Sequence, residues 1–148
     1  MTFMIGENMV GGYGSTDILN GCSICVDLGE IAVVVGPNGA GKSTAMKAIF
    51  GMLNLRSGKI SIDGEDITAL APFERVRKGM AFVPQTHNVF NSMTVKENLE
   101  MGAFINTSPI AGIMAQVYDL FPVLKEKRHQ RAGDAFLLKL ETDRRPAP

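Results

Sequence analysis

The chain has 148 residues, the length of one domain, and its 15 Lys and Arg against 15 Asp and Glu leave no formal net charge. Balanced charge excludes the basic excess with which nucleic-acid binders neutralise phosphates. Apolar runs of about five residues fall far short of the roughly 20 that span a bilayer, and MTFMIGEN has no basic flank before an apolar core, so it does not read as a secretory signal. A cytoplasmic chain is expected, one that reaches a membrane only through a partner.

In chain order, the first thirty residues place short apolar stretches between the turn signals VGGYG, ILNG and DLGE, which predicts antiparallel strands and hairpins. Cys22 and Cys25 lie in this region. Residues three apart on a strand point to opposite faces, and no second Cys or His pair accompanies them, since His87 and His129 stand alone. Structural, reduced cysteines are the expectation. Glu30 to Val35 is rich in β-branched residues and predicts a buried strand ended by Gly36. A helix should begin near Gly41, with Ala45, Ile49 and Leu53 at helical spacing. GKISIDGEDIT alternates with period two around Asp-Gly, which predicts a hairpin. Pro72 opens a short helix, and GMAFVP predicts another short strand. Thr94 with Glu97 three residues later is a capping box ahead of a helix. SPIAGIMAQVYDLF predicts a further helix started by Ser108 and Pro109, and LKEKRHQR a charged successor. The order implies an α/β chain with a helical segment at its end.

The run GPNGAGKST, residues 36–44, fits G-x-x-x-x-G-K-[ST] between a predicted strand and a predicted helix, the context that this phosphate-binding loop needs. Gly36, Gly39 and Gly41 let the backbone curl so that successive N–H groups form an anion nest. The helix that follows adds the positive end of its dipole. Lys42 would reach the β- and γ-phosphates, Ser43 would offer a hydroxyl to Mg²⁺, and Thr44 would meet the α-phosphate. The competing reading is a glycine turn that only caps a helix. Among enzymes that use this loop, a GTPase is excluded because no Asn-Lys pair exists to begin a guanine-reading motif. A small P-loop nucleotide kinase remains an alternative if LKEKRHQR served as its lid, and so does an ATP-binding module that does not hydrolyse.

The stretch from YGSTDILNG through GPNGAGKSTAMKAIFGML, together with FVPQTHNVFNSMTVKENLEMGAF, resembles the ATP-binding subunits of ABC transporters, over roughly residues 3 to 133. SGKISIDGEDIT and FPVLKEKRHQRAG make branched-chain amino-acid importers, with their urea or amide relatives, the most similar group. The resemblance implies a P-loop NTPase fold: an amino-terminal part of residues 1–133, with an antiparallel β subdomain, an incomplete parallel core sheet and a helical segment. It implies an ATP-binding, Mg²⁺-dependent ATPase that dimerises with a second ATP-binding subunit and docks on a membrane permease, with no role for nucleic acid. Tyr13, 23 residues before Gly36, matches the aromatic residue that stacks on adenine. Asn38 and Ala40 join the glycines, Lys42, Ser43 and Thr44 in lining the nucleotide. Gln85 matches the glutamine that approaches the metal and the attacking water, a task for which an amide can both donate and accept.

The resemblance fades after Gly133. No Ser-Gly-Gly signature occurs and no apolar strand ends in Asp-Glu: Lys139 interrupts FLLKLE, and ISIDGED comes too early and carries only hairpin signals. The expectation is a cassette cut near its middle, with 134–148 as a divergent tail, that binds Mg-ATP weakly and does not hydrolyse it alone.

Overall fold

The computed structural model describes residues 2–86, 88–105 and 109–134, which gather into two compact units that divide between Phe82 and Val83. The expected helix start at Ser108, His87 and the segment FLLKLE lie outside the described residues.

The first unit is built on a four-stranded antiparallel sheet of order β2-β1-β3-β4. Strands β1 (Thr2–Tyr13) and β2 (Thr16–Asp27) form one long hairpin. The expected hairpin is therefore present: VGGYG ends in its turn, at Gly14 with φ 57°, whereas ILNG lies inside β2. Glycines within the strands serve irregular pairing: the ladder shifts between Gly11 and Gly12, and a Cβ on Gly12 would collide with the Thr16 carbonyl oxygen. Close approach of two backbones, not a change of direction, requires that residue.

Helix α1 (Lys42–Ile49) follows the glycine loop, and β3 (Ser57–Ile62) and β4 (Glu65–Asp66) turn at Asp63-Gly64, both with positive φ. Ala45, Ala48 and Ile49 of α1 join Met9, Leu19, Ile60, Ile62 and Ile67 in the core. The helix ends at Ile49, so Leu53 packs into this core from the following loop. Cys22 packs against the core from β2 while Cys25 is exposed, and burial pushes the Cys22 thiol up, away from reactive thiolate. Helix α2 (Pro72–Arg77) begins at its proline as expected.

Two predicted core strands differ from the reading. Residues 30–35 and 79–84 form no hydrogen-bonded strand, and no parallel pair exists among the described residues. Ile31 is 90% exposed, Val33 76% and Val35 83%. A segment apolar on both faces needs a partner strand at each edge and cover above and below. Among the described residues nothing pairs with it.

The second unit contains α3 (Val95–Gly102), α4 (Ala111–Leu120) and α5 (Pro122–Glu126). The capping box forms as expected. Thr94 Oγ1 accepts from Glu97 N at 3.2 Å, and Glu97 Oε2 accepts from Thr94 N at 2.7 Å. A clasp holds this helix start: Val95 N donates to Gln130 O and Ala132 N to Met93 O, both at 2.9 Å. The charged stretch expected as a helix is only partly helical, and its end supplies this clasp.

Bonds from Thr94 hold the Glu97 carboxyl below the usual carboxylate range, the backbone N–H contributing most and the hydroxyl next. A depressed folded pKa means stability that is present above the unfolded value and is lost as pH falls through the folded one. Acidification below the ordinary glutamate range should therefore loosen the start of α3. Thr94→Ala should cost about 1 kcal/mol of helix stability at neutral pH, as N-cap removals typically do, and should flatten this acid dependence. Far-ultraviolet dichroism during denaturant unfolding at several pH values checks both.

Candidate nucleotide-binding site

The phosphate loop lies exposed between Val35 and α1. Gly39 and Gly41 both have φ of 86°, the left-handed region that glycine reaches without a Cβ penalty, and Gly41 is the residue from which the helix starts. Ala40 N donates to Pro37 O at 3.3 Å and Ala45 N to Gly41 O at 2.8 Å, so the loop curls and then passes directly into helix. The first helical N–H groups have no side-chain cap and no acidic residue in the first turn. That leaves the positive end of α1 directed at the loop, the arrangement that attracts phosphate.

Lys42 bends back across the loop, and its Nζ donates to Gly36 O and to Pro37 O, both at 2.7 Å. The ammonium thus stays at the loop's mouth, fixed by two neutral dipoles. Gly36, Asn38, Gly39, Ala40 and Ser43 are exposed, Gly41 is buried, and Thr44 is buried at 7% exposure. Ser43 can present its hydroxyl outward. Thr44 is the less accessible of the two hydroxyl side chains.

Tyr13 closes β1 and is 50% exposed. Its ring lies under Lys47 of α1, with Nζ 5.7 Å from the ring centroid and 3.3 Å from the phenol oxygen. One side of the ring thus carries a cation–π contact from the same helix that carries the phosphate loop. The structure therefore brings Tyr13, Lys42, Ser43 and Thr44 into one unit around one helix.

Gln85 belongs to the second unit, in an exposed bend at residues 85–86. Sequence reasoning missed Asn98 of α3, which organises the loop beyond it: the Asn98 carboxamide accepts from Phe90 N at 2.7 Å and donates to Phe90 O at 3.0 Å and Thr94 O at 2.9 Å. Asn inside a helix is a poor helix former that bonds nearby backbone instead, and that was the available signal.

These residues fit a nucleotide's phosphates: a glycine nest, an uncapped helix start and one lysine. For Mg²⁺ they offer the Ser43 hydroxyl, and among the described residues no group of three His, Cys, Asp or Glu is placed to hold a metal. A magnesium ion held mainly by phosphate oxygens and water needs no such group.

The ABC transporter family profile matches residues 19–145, which takes in the loop, parts of both units and the region past Gly133. The chain belongs to the ABC transporter family. Similar ABC proteins include the probable branched-chain amino acid transport ATP-binding protein LivF of Archaeoglobus fulgidus, 38% identical over 82% of this chain and 52% of its own length. The high-affinity branched-chain amino acid transport ATP-binding protein BraG of Pseudomonas aeruginosa is 41% identical over the same shares. The chain spans about half the length of these curated relatives. Solved ABC cassettes superpose on it: a nucleotide-free ATP-binding cassette with TM-score 0.76 and 29% identity, covering 90% of this chain and 58% of that one, and the ADP conformation of the cassette MJ1267 with TM-score 0.71, 30% identity and the same coverage. The fold is thus that of the amino-terminal part of an ABC P-loop ATPase. No helix among the described residues is long and apolar enough to cross a membrane.

Proposed function

We propose that this chain is the nucleotide-gripping part of an ABC importer's ATP-binding subunit, serving branched-chain amino-acid transport or that of related amides or urea. The observation that carries the reading is the uncapped start of α1 behind two left-handed glycines, with Lys42 poised across the loop. Backbone N–H groups from Gly39 onward and Lys42 take the phosphates, and Tyr13 offers an adenine platform. Magnesium, held by phosphate oxygens and Ser43, would neutralise charge on the β- and γ-phosphates. By the family resemblance Gln85 would approach metal and water, and its loop would meet the permease at the inner face of the membrane. A second ATP-binding subunit completes the pair. The LivF and BraG similarities support the importer reading, and nothing in the comparisons favours a nucleoside-monophosphate kinase.

Phosphoryl transfer needs several charge-stabilising groups at once. The sequence has the phosphate loop and glutamine but neither an Asp-Glu strand end nor a Ser-Gly-Gly signature. Binding without turnover is the activity proposed for this 148-residue chain by itself. Mg-ATP should raise its melting temperature, since a ligand at a hundred times its Kd stabilises by about 2.7 kcal/mol. No shift at millimolar Mg-ATP would reject the nucleotide reading. Failure to co-isolate a permease from cells expressing the chain with its genomic neighbours would reject the importer reading.

A further inference from the structure

At the far end of α1 from the phosphate loop lies a cation that the nucleotide reading does not use. Arg75 of α2 is 2% exposed, among the most buried side chains described. It forms no ion pair with a described residue. Its guanidinium instead bonds backbone oxygens only: Nε donates to Leu70 O at 2.9 Å, Nη2 to Thr68 O at 2.9 Å, and Nη1 to both Ala48 O, at 3.2 Å, and Ile49 O. Ala48 and Ile49 are in the last turn of α1, where carbonyls lack the full set of helical N–H partners; Ala48 O also accepts from Gly51 N at 2.9 Å. A positive charge there also meets the negative end of the helix dipole. Only a planar fork with five donors can bond the end of one helix and the turn at 68–70 at the same time.

We propose that Arg75 is a positioning residue for nucleotide binding, anchoring the carboxyl end of α1 so that the phosphate loop at its amino end keeps its aim. The proposal rests on the nucleotide reading of that loop. Helix α1 has eight residues, about 12 Å at 1.5 Å per residue, and behaves as one short rod. Its inner face is secured by Thr44, Ala45, Ala48 and Ile49, with Phe50 buried at its C-cap. These are mostly short side chains on a rod of about two turns, which leaves tilt and sliding along the sheet to be opposed chiefly at its ends. Arg75 opposes both, because it fastens the last turn to a segment that β3 and β4 hold in place through Ile67 N and Ile60 O at 2.9 Å.

The test uses Arg75→Lys, which keeps the charge but not the fork, and Arg75→Met, which keeps much of the stem. Two measurements are made on the full chain alongside the unaltered protein and Lys42→Ala: amide hydrogen exchange and the Kd for Mg-ATP. Exchange at α1 amides should rise about tenfold in Arg75→Lys while β1–β3 ladder amides keep their protection, and ATP affinity should fall about tenfold, with Arg75→Met worse in both. A purely structural residue would speed exchange in helix and sheet together. Unchanged α1 exchange in Arg75→Lys, or an unchanged Kd despite faster exchange, would overturn the proposal. If the unaltered chain does not bind ATP, the nucleotide reading falls and the proposed role in binding falls with it; the exchange pattern then shows separately whether Arg75 anchors α1.

Discussion

Lys42→Ala should weaken Mg-ATP binding by about ten- to a hundredfold. Hydrogen bonds to charged groups contribute roughly 1.5–3 kcal/mol, and each 1.4 kcal/mol is a factor of ten in Kd. The substitution removes the ammonium that meets phosphate, and it also removes the bridge to Gly36 O and Pro37 O that shapes the loop beforehand. Calorimetric titration of both forms measures the change. Phosphate release, followed in parallel, should be equally slow with the lysine and without it. Turnover at ordinary ATPase rates that vanishes in Lys42→Ala would show that the chain assembles a hydrolytic site from groups not identified in it.

The second large effect concerns association. Ile31, Val33 and Val35 are exposed in a segment whose backbone forms no ladder among the described residues. Burying one such side chain is worth about 1.5–3 kcal/mol, and an unpaired strand is a template for another. The chain should therefore self-associate at tens of micromolar, a concentration at which a monomer with a covered sheet would not. Placing lysine at 31, 33 and 35 together should shift sedimentation to the monomer with little change in far-ultraviolet dichroism, because these side chains support no described packing. Monomeric behaviour of the unaltered chain at all concentrations would mean that this segment is covered after all.

The same segment shows what the sequence could and could not reveal. Period-two alternation with Asp-Gly located the β3–β4 turn, and threonine with glutamate three residues on located the start of α3, because both signals are complete within a few residues. Glu30 to Val35 has every local mark of a central strand. Strand formation is a property of the pair, however, and its neighbours must come from elsewhere. ILNG misled for the opposite reason: glycine serves irregular strand pairing as well as turns, and composition does not tell the two apart. Within the site, the phosphate loop was legible because its chemistry is packed into nine consecutive residues. Arg75 was not, since its partners are carbonyls at 48, 49, 68 and 70 that carry no side-chain signature.

The bridge from Lys42 to its own loop also sets a threshold for guests. An arriving anion competes with two carbonyl dipoles already satisfying the ammonium, so it gains only by the amount that its charge density exceeds theirs. Chloride or a carboxylate offers little more than the loop provides for itself, whereas a polyphosphate chain offers far more. Discrimination among the anions of a crowded cell is thereby built into the loop itself.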